Sequence, residues 1–262
     1  MANVSNRTGG VAELVPLIDK DGHGVGVVIL KMTYEVKGGV LEIAEQQESI
    51  HFVDEYFGEP GKSELRVPSD LADKKPATDV LLIRPTRKPP SGSSRGQNFS
   101  ANIGPVRVSG DFSTPWRFGP VGRDDKRRLR YAGTYNQDWL ENRMPLVPVD
   151  FDHRYHQAAP TDQIVAGYLK GDETLRFSNL RGDGQTIQAR LPGRACVLSG
   201  NVLSHYFTEV PPLDTVSVFL EPLRITLAWR YAIRVRQKIE EISNVHIFTA
   251  GIRITRELYG KP

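Results

Sequence analysis

The run Val25–Val36 reads VGVVILKMTYEV. In its second half Leu30, Met32, Tyr34 and Val36 fall on one side of an extended chain, and Lys31, Thr33 and Glu35 fall on the other. That is the period of two that a strand imposes. The first half is apolar on both sides, as in a strand covered from two directions. Gly38-Gly39 follows and admits the positive φ angles of a tight turn. VLEIA, from Val40, then returns as a second strand.

The same texture extends outward. DVLLIR at 79–84 is a short branched-rich run. FSANI and VRVSGDF fit a hairpin around Gly104-Pro105. Further on come TLRFSNL, TIQARL, ACVLS, TVSVFL, RITLAWRYAI and VHIFTAGIRITREL, separated by Gly, Pro or Asp-Gly. TVSVFL and LRITLAW read as two strands around Glu221-Pro222. Helical spacing occurs twice. Asn136–Arg143 (NQDWLENR) predicts a short helix capped by Asn136, and Arg234–Ile242 predicts another from Val235, Ile239 and Ile242. The stretch Met144–Pro160 holds Pro145, Pro148 and Pro160, which argues against a long helix. PTRKPPSGSSRGQ at 85–97 reads as an exposed, mobile loop. There is no repeat of 20–50 residues. The expected fold is mainly β, with antiparallel sandwich or barrel-like sheets, one or two short helices and long irregular loops. The whole of 1–262 forms a single unit, with two β subdomains, about 1–115 and 116–262, as an option.

Composition sets the outer bounds. A chain of 262 residues, 39% hydrophobic and 25% charged, can bury a core without staples. It is not collagen-like or wholly disordered. No apolar run reaches the ~18 residues of a membrane helix. The start, MANVSNRTGGVAEL, lacks the basic end and apolar block of a secretory signal. The one cysteine, Cys196, forms no internal disulfide, which agrees with a reducing compartment. A cytoplasmic protein with no membrane partner is expected. Charge is uneven: residues 1–80 carry a net −6 and residues 81–130 a net +8. A basic block of this kind can meet nucleic acid, an acidic protein face or the chain's own acidic block, and the last is the plainest reading.

Several clusters could carry chemistry. His153 and His156 in DFDHRYH, with Asp150 and Asp152, are ligand types that suit zinc or iron, but three or four must converge. A spacing of three helps only on a helix, and prolines bracket this segment, so a polar loop without metal is expected. Asp54-Glu55 with Glu59 could act as paired acids. Neighbours on a strand point to opposite faces, so backbone hydrogen bonding is the favoured role. Cys196 in RACVLSG reads as a core thiol and not a nucleophile. GHGVG at 22–26 precedes a strand, not the helix N-terminus that would hold a phosphate. There is no phosphate loop or dinucleotide fingerprint. RDDKRRLR at 123–130 is the densest basic cluster, flanked by Trp116, Phe118 and Tyr131. A solvated or protein-facing loop fits it better than nucleic-acid binding.

Three stretches together resemble a bacterial family. They are FVDEYFGEPGKSELRVPSDL (Phe52–Leu71), KPATDVLL (Lys75–Leu82) and AGTYNQDWLENRMPLVPVDFDHRYHQAAPTDQ (Ala132–Gln163). The third continues into YLKGDETLRFSNL and LPG at 191–193. The chain looks like a member of the domain of unknown function 2169 family, encoded beside type VI secretion genes. The motif positions Asp54, Glu55, Tyr56, Gly58, Asp70, Lys75, Pro76, Asp79, Tyr135, Trp139, Phe151, Asp152, Pro160, Asp162 and Gln163 read as structural. Gly58 and Pro60-Gly61 fix a turn, Asp70 and Asp79 can accept backbone N–H groups at loop ends, and the aromatics can pin a loop to a β core. The chain departs from the family in a short span before the GTY motif, in Gln157 where the family usually has Asn, and in His153 and His156, which are not family features.

The resemblance implies a non-enzymatic adaptor or chaperone-like protein. Such a protein binds a type VI effector and helps load it onto a spike made of a VgrG-type trimer and a PAAR-type tip. No catalytic residue, metal or cofactor is then expected. The basic block offers Arg127, Arg128 and Arg130 as rim contacts for an acidic partner, and Trp116 and Phe118 as anchors. The alternatives are a hydrolase using Asp and His near 150–162, and a nucleic-acid-binding module using 81–130.

Overall fold

The computed structural model describes residues 4–88, 97–112 and 116–259. Most of the loop expected at 85–97 lies outside the described residues. Among the described residues the chain forms sixteen strands and three short α-helices. A six-stranded sheet runs β2 (Val11–Ile18), β3 (Gly24–Lys37), β15 (Leu223–Arg234), β14 (Leu213–Leu220) and β7 (Asp79–Ile83), with β4 (Val40–Ile43) paired to β3. A second sheet runs β1 (Val4–Asn6), β16 (Ile242–Gly251), β12 (Arg194–Val202) and β13 (His205–Glu209). A third runs β11 (Thr186–Arg190), β10 (Thr174–Ser178), β8 (Asn98–Ile103) and β9 (Val106–Asp111). A two-stranded ribbon joins β5 (Glu55–Tyr56) to β6 (Leu65–Val67). The fold is mainly β, its sheets are open, and pairing is antiparallel except for β1–β16 and β7–β14.

The strand β3 organises the core, and its two faces are both buried. Val28, Leu30, Met32 and Tyr34 point into a large cluster that also takes residues from the second and third sheets, including Phe99, Ile103, Leu175, Leu198 and Ile247. Val25, Val27 and Ile29 point the other way and meet Ile50 and Leu71. The polar side of the strand is covered as well. Lys31 is buried and bonds Asp70 Oδ2 at 2.8 Å and Ser49 O at 2.7 Å, and Thr33 bonds Gln47 and Glu48. The segment 44–71 therefore lies over a face that alternation alone would leave to water. Strands from before and after residue 115 pair in three of the four sheets. A boundary near residue 115 thus separates no two sheets.

The turns at Gly38-Gly39, Gly104-Pro105 and Glu221-Pro222 each join paired strands. The short helix is α2 (Gln137–Asn142), and Asn136 Oδ1 accepts from Trp139 N at 2.9 Å. The helix expected at 234–242 is absent. Strand β15 continues to Arg234, and only Ile239–Glu241 makes a 3-10 turn. The Glu241 carboxylate accepts from Arg236 N and Gln237 N, so a local loop closure replaces the helical ladder. Two further helices were not expected. They are α1 (Lys126–Leu129), capped by Asp125 within RDDKRRLR, and α3 (Ile252–Tyr259), which follows β16 where the sequence reads on as strand.

Candidate functional site

Strand β7 is an edge of the six-stranded sheet, and exposed edges invite unwanted pairing. Here the irregular chain from 116 to 165 covers it. Val165 N donates to Thr78 O at 3.0 Å. Gln163 Nε2 reaches Val80 O at 2.8 Å and Phe118 O at 3.1 Å. Trp116 Nε1 lies 3.4 Å from Leu82 O. The motif residue Gln163, together with Trp116, thus sits where side chains replace a neighbouring strand.

Behind this edge runs a buried chain of charges. Asp79 is fully buried; its Oδ2 accepts from Lys75 Nζ and Ala158 N, each at 2.9 Å. Lys75 also bonds Thr215 Oγ1 at 3.0 Å. Asp214 accepts from Arg230 at 2.6 Å, and Arg230 donates to Asp70 O at 2.8 Å. Asp70 takes Lys31 and the backbone N of His51, each at 2.8 Å. Although burial raises it, Lys31 and these hydrogen bonds leave the Asp70 carboxyl below its ordinary value. The motif acids therefore bind loop backbone to sheet. Asp54 does the same, accepting from Ser69 N at 2.7 Å and Arg123 Nε at 2.9 Å. Glu55 pairs with Arg66 and with His51 Nδ1. Tyr56 and Pro76 are half-buried, Gly58 is exposed in the β5–β6 turn, and Asp162 is exposed after buried Pro160.

The aromatic and arginine anchors expected on a docking face divide. Trp116 and Phe118 are core residues, at 8% and 6% exposure, packed on each other and on Phe99, which in turn meets Phe112. Arg128 is buried too, donating to Tyr155 O at 2.8 Å and Val121 O at 2.9 Å. These three are structural, because covering the β7 edge draws the whole segment inward. Arg127 and Arg130 stay exposed. Arg127 closes on the α1 cap Asp125, whose carboxyl its hydrogen bond lowers to about 2. Beside them lies a cavity of about 520 Å³ between the β5–β6 ribbon and residues 116–127. At its wall Arg84 is 2% exposed, lies 4.5 Å from the Trp116 ring, and among the described residues has no hydrogen-bond partner on any guanidinium nitrogen.

The chain presents apolar surface elsewhere. Helix α2 buries none of its residues. Hydrogen bonds hold its flanks: Trp139 Nε1 to Leu146 O at 2.7 Å, Arg143 Nε to Val147 O at 2.9 Å, and Arg143 to Lys20 O. Tyr135 packs on Trp139 with ring centres 4.7 Å apart. Around α2, Leu129, Tyr135, Leu140, Met144 and Val149 are exposed by 48%, 55%, 49%, 59% and 77%. Sequence reading put the anchors at Trp116 and Phe118 and passed over Leu140, Met144 and Val149, since a single exposed Leu or Val carries no signal of its own.

The histidines also find new company. Asp150 caps Thr134, and Asp152 accepts from Arg154 N, so neither faces them. Asp73, from the loop before β7, does: its Oδ1 is 3.3 Å from His153 Nδ1 and 3.6 Å from His156 Nε2. Burial pushes the His156 imidazole down to about 3. Phe151 is buried against both rings. Cys196 is enclosed in β12, and burial pushes its thiol up, far from a nucleophile's range.

A many-stranded β protein, with its irregular loops bound to one sheet edge by buried acids and amides, is the class this arrangement defines. The chain belongs to the family described as an uncharacterized protein conserved in bacteria, domain of unknown function 2169, whose sequence profile matches residues 21–111 and 97–230. No curated protein and no solved structure matches it. Among the described residues no helix is long and apolar enough to cross a membrane.

Proposed function

We propose that the protein is a non-enzymatic adaptor of a bacterial type VI secretion system, which holds an effector and helps load it onto the VgrG-type and PAAR-type spike. The observation that carries this reading is the α2 platform. A helix normally holds its place by burying a face. This one fully buries none of its residues, is fixed by capping and side-chain-to-carbonyl bonds, and is flanked in the chain by large apolar side chains turned to solvent. Large apolar side chains left exposed together along one short stretch of chain suit a protein-binding site. Aromatic and aliphatic anchors at the centre of a contact supply most of its energy. The exposed Arg127 and Arg130 on α1 then serve as rim charges, which affect rate and partner choice more than affinity.

Two strains test this. Deletion of the gene should abolish export of one effector while the machine still fires with others. The double substitution Leu140→Ser/Val149→Ser should reproduce that loss with an unchanged unfolding midpoint, since both side chains are exposed. If the deletion strain exports every effector, the adaptor reading fails. If deletion stops export and the double variant does not, the platform is misplaced.

A further inference from the structure

The turn His153–His156 is a 3-10 turn, begun by Asp152 Oδ1 accepting from Arg154 N at 2.8 Å. In 3-10 geometry side chains at i and i+3 eclipse. One turn therefore suffices to set both imidazoles on the same side, and their ring centres lie 6.1 Å apart. The packing of Phe151 against both rings and the hydrogen bond from Arg128 to Tyr155 O fix the turn in place. Asp73 reaches between the rings from a loop some 80 residues earlier.

The distances suit a shared cation better than a hydrogen bond. A charge-assisted N–H···O bond spans about 2.7–2.9 Å, while Asp73 Oδ1 stands 3.3 and 3.6 Å from the two nitrogens. His153 Nδ1 is covered from solvent, and among the described residues its contact with Asp73 Oδ1 at 3.3 Å falls outside hydrogen-bond geometry. Ligands about 2.1 Å from a tetrahedral zinc ion stand about 3.4 Å from one another. One ligand atom from each of the three residues falls within a 4.8 Å span. Asp73 and His153 also line a cleft of about 370 Å³, with Tyr168 and Asp214 on its wall. That cleft leaves room for a fourth ligand from solvent.

We propose that Asp73, His153 and His156 form a binding site for a divalent transition-metal ion of the zinc type, with an open coordination position toward the cleft. Two imidazoles and a carboxylate select zinc, cobalt or nickel over calcium or magnesium, which prefer all-oxygen shells. The site is separate from the α2 platform and does not depend on the adaptor reading.

The test uses the full chain without a histidine tag, stripped of metal with a chelator and titrated with zinc chloride by calorimetry. The expected result is one ion per chain. Cobalt should give the visible absorption of a tetrahedral site. Asp73→Asn, which keeps the side chain's shape, and His156→Phe, which keeps its bulk, should each weaken zinc binding by at least about tenfold, a loss that even changes outside the first ligand shell can cause. The metal-free unfolding midpoint of each variant is measured alongside, and only variants that keep it count. His23→Ala removes the exposed Asp19–Asp21–His23 group, a second set of nearby ligand atoms, and should leave binding unchanged. Absence of stoichiometric zinc binding by the parent protein overturns the proposal. So does binding that survives both Asp73→Asn and His156→Phe, or that is lost in His23→Ala.

Discussion

Removing the Asp79 charge should be among the most damaging single changes in the molecule. Asp79 is fully buried and Lys75 is 5% exposed, so the ammonium has little water to turn to. In Asp79→Asn it keeps Thr215 Oγ1 at 3.0 Å and loses its carboxylate at 2.9 Å. Breaking a buried pair from one side costs about 3–5 kcal/mol, because an uncompensated charge stays behind. Against a total stability of about 5–15 kcal/mol, that is a third or more of the margin in many proteins. Lys75→Met alone should cost a similar amount, since the Asp79 charge is then buried with Ala158 N and the Gln157 amide. The double variant Lys75→Met/Asp79→Asn leaves no net charge and keeps an acceptor for Ala158 N. Its loss should fall short of the sum of the singles by at least about 2 kcal/mol, within the range for directly contacting groups. Urea unfolding followed by both far-ultraviolet dichroism and tryptophan fluorescence gives the three values and checks that the transition is two-state. Additivity within about 0.5 kcal/mol would mean that Lys75 and Asp79 do not act as a pair, and would refute the argument that buried motif charges bind the loop to β7.

Two further outcomes follow from other buried charges. The hydrogen bond to Glu48 raises the His51 pKa above its ordinary 6.5. Its stabilisation is therefore complete below that value and lost as pH rises through the raised one; urea midpoints should fall from pH 6 to pH 8.5, and His51→Gln should flatten that slope, an unchanged slope counting against it. Arg84→Met removes a buried guanidinium with no hydrogen-bond partner among the described residues and keeps most of the apolar stem, so thermal unfolding should show equal or greater stability even after loss of a cation–π contact of about 0.5–2 kcal/mol; a loss above about 2 kcal/mol would show that the guanidinium is well solvated.

Period-two alternation identified β3 and its neighbours because side-chain direction along an extended chain is a local property. Val25–Val36 needed no partner to declare itself. The hairpin turns at Gly38-Gly39, Gly104-Pro105 and Glu221-Pro222 were equally local, and so was the Asn136 cap of α2. The ordered motifs likewise carried the family, since linear order needs no geometry. Burial was decided elsewhere. Lys31 and Thr33 alternate as a solvent face should, yet they are covered by residues 47–71, and no property of the strand itself encodes what lies over it. Trp116, Phe118 and Arg128 left the surface for the same reason: an open edge at β7 had to be covered, and the nearest irregular chain covers it. At 234–242 a helical spacing gave way to a loop between β15 and β16, because the Glu241 carboxylate takes the backbone N–H groups of Arg236 and Gln237 and the strands on either side are paired in their sheets. The partner of His153 and His156 was beyond reading altogether. Asp73 lies some 80 positions upstream, and only the pairing of β7 with β14 and the docking of 157–165 along its edge bring the carboxylate to the imidazoles. Local periodicity follows from covalent geometry, whereas a meeting of distant side chains follows from packing, which the order of residues along the chain does not display.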